Sequence, residues 1–129
     1  MGQQQLLLIV LGVIVVGIAV VVGINLFNAN AEESAKDGVV SDCTNLGAMA
    51  QQFYKKPLSM GGGGNTFNTG GPSDAGFEIP ASLVSTANGT YSNTVSGTNC
   101  VITGTPIETT YSWTVTTTVT ADSIQSVIN

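Results

Sequence analysis

Residues 35–56 read AKDGVVSDCTNLGAMAQQFYKK, and the spacing of their apolar members decides what kind of molecule this is. Ala35, Val39, Cys43, Leu46, Ala50 and Phe53 recur at intervals of three and four. That is the period of an α-helix with one buried stripe, the helix-head packing surface. Glu32, Glu33, Lys36, Asp37 and Asp42 are assigned to the other faces. The stretch stops at Lys55-Lys56-Pro57. Two cations complement the negative end of a helix dipole, and Pro57 disfavours the helical conformation at Lys56.

Toward the N-terminus the pattern becomes apolar on every face. Leu6 to Ile24 is unbroken apolar residue or glycine, roughly 28 Å of helix at about 1.5 Å per residue and enough to cross a bilayer. Such a run is normally oriented by nearby Lys or Arg. Here the first cation is Lys36, there is no Arg, and Gln3, Gln4 and Gln5 stand at the flank. The two halves join into one predicted helix from about Gln3 to Lys56, roughly 80 Å long. Gly12, Gly17 and Gly23 are weak points, each costing up to about 1 kcal/mol relative to Ala.

Toward the C-terminus, SMGGGGNTFNTGGPSDAG (59–76) has no periodicity and reads as a loop. No Gly-Lys-Ser/Thr follows it and no strand precedes it, so its glycines do not form a phosphate-binding loop. Strands are expected near Glu78–Ser85, Tyr91–Val95, Cys100–Thr103 and Thr109–Thr120. The last alternates strictly, with Tyr111, Trp113, Val115 and Val119 on one face and Thr110, Ser112, Thr114, Thr116, Thr118 and Thr120 on the other. Asp122 to Ile128 reads as a short capped helix or a terminal strand. The fold class is therefore α+β: a long N-terminal α-helix, apolar in its first half and amphipathic in its second, packed by a small antiparallel β-sheet head. The organisation is an apolar half-helix over 1–27, an amphipathic half-helix over 28–56, a Gly-rich loop over 57–77 and the head over 78–129.

Composition narrows function. The 129 residues carry a net charge of −5 and no His. Without a basic cluster, binding to nucleic acid is not expected. Without His, or a nucleophile and base at local spacing, neither catalysis, a metal site nor a cofactor is expected. Asp74, Glu78, Glu108 and Asp122 lack the dense alternation of a calcium loop and read as solvated charges. The helix aromatics Phe27, Phe53 and Tyr54 are too widely spaced to conduct electrons. Asn88-Gly89-Thr90 is a candidate glycosylation sequon on a turn. Cys43 and Cys100 form one disulfide in an exported protein or two buried thiols in a reducing one. Cys43 lies on the stripe and Cys100 begins a strand of its expected cover, so a disulfide clamping helix to sheet is the expectation.

An apolar half-helix of 27 residues, an amphipathic continuation and a β-rich head together resemble a type IV pilin. The resemblance extends over the whole chain as architecture and is most specific at the N-terminus. In that family a basic leader is removed by a prepilin peptidase, the new N-terminus is often methylated, and the apolar half-helices bundle into a filament core. The resemblance implies that Met1 is the processed residue. It implies a core built from Met1, Gln5, Leu8, Leu11, Gly12, Val16, Gly17 and Gly23. Gln5 stands where many pilins have a glutamate paired with a neighbour's α-amine, so the Gln3–Gln5 carbonyls become the acceptors for the Met1 amine. The implied partners are many copies of the same chain and, before polymerisation, the inner membrane and the pilus assembly machinery. The implied location is an extracellular cell-surface filament, of the kind used in adhesion or motility. A minor pilin, a secretion-system pseudopilin and a single-span membrane-anchored surface domain are the alternatives.

Overall fold

The computed structural model describes residues 2–71 and 74–129. Helix α1 runs Gly2–Lys55 without interruption. Four strands follow: β1 Gly89–Val95, β2 Cys100–Pro106, β3 Val115–Val119 and β4 Ile124–Ile128. They form one antiparallel meander in the order β1-β2-β3-β4. The architecture is α+β, with a long N-terminal apolar helix and a four-stranded sheet packed against its later part. The chain divides into two compact units, one ending at Ser34 and one spanning Ala35–Asn129.

In the first unit every residue from Gly2 to Ala31 is exposed. This stretch is long and apolar enough to cross a membrane. The glycines do not break it, because backbone hydrogen bonding within the segment satisfies every interior peptide group whatever the side chain.

The second unit has a closed core. Val39, Cys43, Leu46 and Ala50 are buried against Ile102, Val115 and Val119, and Ala35 and Phe53 are partly buried at the margins. Two glycines set how near the helix comes to the sheet. A Cβ at Gly47 would lie 3.1 Å from a Val119 methyl, and one at Gly104 only 2.7 Å from Val39 and 2.8 Å from the Cys43 sulfur. On β2 the inward alternation Cys100, Ile102, Gly104 therefore leaves a notch where Val39 and Cys43 seat.

That notch corrects the expected disulfide. Cys43 lies over Gly104, four residues along β2 from Cys100. The Cys43 sulfur also lies beside Thr117, whose partner on β2 is Ile102 and not Cys100, so it seats along the strand from Cys100. Cys43 and Cys100 are two separate buried thiols.

Other boundaries differ from the sequence reading for identifiable reasons. Residues 78–85 do not form a strand. Pro80 starts a 3₁₀ turn over Ala81–Leu83, and only the bridge between Ser85 and Thr90 joins this segment to β1. The last long strand is shorter than Thr109–Thr120 because the rung opposite Trp113 would be Pro106, which has no N–H to donate. Its side-chain alternation nevertheless persists, since Trp113, Val115, Thr117 and Val119 are all buried. Of the two readings at the C-terminus, the structure has the strand.

The Gly-rich segment is more than a link. The N–H groups of Gly63, Asn65 and Gly64 donate to the carbonyls of Phe53, Tyr54 and Lys56, satisfying the open end of α1. Phe67 is fully buried, 4.7 Å from the Tyr54 ring, and Phe77 packs 5.8 Å from Phe53. Gly76 (φ +98°) brings its backbone against the Phe67 carbonyl, where a Cβ has no room. The loop thus packs into the base of the head.

Candidate functional site

Two surfaces present themselves, and they differ in chemistry. The first is the uncovered helix of the initial unit. Helical geometry puts residues three and four apart on one face, so Gln5, Leu8, Gly12, Val16, Ala19 and Gly23 share a single stripe. Leu11 and Gly17 lie off that stripe, and Met1 lies outside the described residues. All of the described members are solvent-exposed. No charged residue occurs before Glu32. The surface is apolar on its whole circumference, so Gly17 and Leu11 are as uncovered as the stripe itself. Apolar surface of this extent is stable only in lipid or against other apolar surface.

The second surface is a polar node on the head. Asp42 comes from α1, one residue before Cys43. Its Oδ2 accepts hydrogen bonds from Tyr91 Oη at 2.6 Å, Thr86 Oγ1 at 2.9 Å and Asn88 Nδ2 at 3.0 Å. Partial burial pushes the carboxyl pKa up, but three donors on the ionised form outweigh it and hold it below the usual carboxylate value. Tyr91 moves the opposite way: burial and the adjacent carboxylate raise its phenol well above the ordinary value. A cavity of about 140 Å³ opens beside the node, floored by Leu46 and Leu83. A carboxylate held this firmly ionised is a weak base, so the geometry suits anchoring rather than proton transfer.

The helical period places Asp42 on a face other than the buried stripe. The contrary signal was present, since Asp42 lies three residues after Val39 and four before Leu46, at the stripe's border. What the sequence does not display is that residues 86, 88 and 91 arrive there. The sequon residue Asn88 is part of the node: its Nδ2, the atom a glycan would be attached to, donates to Asp42, and its side chain lies against Gly38.

Both thiols are pushed up by burial, Cys100 to about 11, while the Thr117 hydroxyl beside Cys43 only partly offsets the effect there. Thr117, fully buried, also hydrogen-bonds Ser126 Oγ at 2.9 Å. Lys36 Nζ sits 5.9 Å from the centre of the Trp113 ring, which stacks on Tyr111. Among the described residues no three His, Cys, Asp or Glu side chains gather as a metal site requires. No known protein family, characterised protein or solved structure matches this chain.

Proposed function

We propose that this chain is a structural subunit of an extracellular filament of the type IV pilus kind, polymerising through the apolar half of α1. The observation that carries the reading is the contrast within one helix. The head completes its own core using only the helix from Ala35 onward, while Leu6 to Phe27 is left with every large apolar side chain exposed. In the reading, the apolar half rests in the membrane before assembly and against the same segment of neighbouring copies afterwards. Burial of apolar surface contributes on the order of 25 cal/mol per Å² from water. Extraction from lipid returns much less, so an assembly machine has to supply work. The role is mechanical rather than catalytic.

The test is to shear surface appendages from cells producing the chain and identify their main component by mass spectrometry. Intact chains as the repeating component, with the apolar segment retained, support the reading. Recovery of the chain only as a monomer in the membrane fraction overturns it in favour of a single-span anchor, and recovery as a trace component favours a minor subunit.

A further inference from the structure

The two edges of the sheet are managed differently. At the β1 edge the chain at Val84–Thr86 lies alongside: Thr86 N–H donates to the Gly89 carbonyl and Tyr91 N–H to the Val84 carbonyl, both at 2.8 Å. Asn93 Nδ2 then reaches the Phe77 carbonyl, also at 2.8 Å. That edge is occupied at Gly89–Tyr91, and the Asn93 side chain covers it further along.

The β4 edge is open. Thr114 and Asn129 exchange both backbone hydrogen bonds, and hydrogen-bonded pairs alternate along an antiparallel ladder. Asn129, Val127 and Gln125 therefore direct their peptide groups at β3, whereas Ile124, Ser126 and Ile128 direct theirs outward. Among the described residues nothing donates to or accepts from those outward groups. The strand reads IQSVI, without charge or proline. Val127 is 58% exposed and Ile128 46%. Open edges are ordinarily blunted by charge, proline, bulges or a covering segment, and β4 has none of these.

We infer that β4 is a strand-addition surface whose occupant is β4 of a second copy of this chain, paired antiparallel about Ser126. The strand is close to symmetrical about that residue. Antiparallel self-pairing sets Ile124 opposite Ile128 and Ser126 opposite Ser126 on one face and Gln125 opposite Val127 on the other, so apolar meets apolar at both ends of the first face and no charges oppose each other. The outward peptide groups of Ile124, Ser126 and Ile128 on each copy then match in register, for about six new backbone hydrogen bonds. A β4-to-β1 contact is disfavoured because the β1 edge is already occupied at Gly89–Tyr91. The contact concerns the head alone and does not rest on the filament reading.

The experiment uses the full chain in detergent micelles, carrying either Gln125→Cys or Val127→Cys. Both positions are exposed, and the native thiols are buried. In the inferred register residue 125 faces residue 127 of the other copy in a non-hydrogen-bonded pair, whose side chains are the closer kind. A mixture of the two variants under mild oxidation is expected to yield a crosslinked dimer at least tenfold above either variant alone. Adding Ile128→Lys to both is expected to cut that yield at least tenfold with Trp113 fluorescence unchanged. No crosslink in the mixture overturns the inference, as does equal crosslinking in each variant alone or a yield that survives Ile128→Lys.

Discussion

One helix, two environments: from Gly2 to Ala31 no side chain of α1 is covered, while Val39, Cys43, Leu46 and Ala50 further along it are sealed against the sheet. The backbone is the same and the covered half is the less apolar one. Apolarity by itself therefore does not bring a helix into a core; asymmetry does. The second half has one apolar stripe, and a single sheet layer satisfies it. The first half has no preferred face, so no one layer can cover it, and it needs surroundings on all sides.

The sharpest way to break this contrast is to put a charge into the uniformly apolar half. Val16→Asp buries an unpaired carboxylate in any lipid or helix bundle, at a cost of several kcal/mol. On the proposed filament reading, sheared filaments should disappear, with the chain retained in membrane fractions and the head's thermal melting unchanged. Filaments in normal yield would show that this half is not where copies meet.

A complementary change attacks the covered half. Gly104→Val places a branched side chain where Val39 and the Cys43 sulfur already sit within 3 Å of an added Cβ. Overpacking of this kind costs about 3 kcal/mol. Thermal melting of the head should drop sharply. Unchanged melting would mean that the helix does not seat in the β2 notch.

The covered half was legible because its stripe repeats within the chain's own short-range geometry. Val39, Leu46 and Ala50 are separated by whole helical turns, so their shared direction follows from the sequence. The cover was legible only as alternation, which survives even where Trp113 lies outside the ladder. What resisted reading depends on distant partners. Asp42 looks like any surface acid until Tyr91, from 49 residues away, meets it. Phe67 looks like a loop residue until the glycines around it let the backbone fold it into the core. The disulfide expectation failed on a distance that spacing does not encode: both cysteines face the same interface, but at different rungs of it.

Alkaline titration should discriminate between the two halves more gently. Cys100 ionises at about 11 when folded, against an ordinary thiol value near 8.5 to 9. Tyr91 is likewise raised when folded. Raised values mean that the unfolded chain loses these protons first. The stabilisation is thus complete below about pH 9 and is lost as pH rises toward 11, on the order of 2 to 3 kcal/mol from the thiol. The head's melting temperature should fall through this window, while the first unit, which contains no group titrating there between Gly2 and Ala31, keeps its helical circular dichroism. On denaturation both thiols should alkylate without prior reduction.

The smallest effect belongs to Asp42→Asn, which keeps an acceptor oxygen but removes the charge from three hydrogen bonds, worth about 1 kcal/mol. Because the carboxylate's pKa is depressed in the folded state, its contribution is present above the ordinary carboxylate range and fades as pH falls through the lower folded value. The wild-type advantage over Asp42→Asn should therefore vanish in acid. An advantage that does not diminish as pH falls below the ordinary carboxylate range would assign Asp42 a role other than its charge.

The Asp42 node also has a mechanical consequence. The seating of Val39 and Cys43 in the Gly104 notch sets the register of helix and sheet by shape alone, since apolar contacts are non-directional. Asp42 adds three short, directional bonds from a single oxygen to Thr86, Asn88 and Tyr91. Displacing the helix axially by one residue, about 1.5 Å, would strain these bonds together, because they share one acceptor atom. The carboxylate therefore works like a shear pin beside the notch, and under a load along α1 helix and sheet would move as one body instead of slipping past each other.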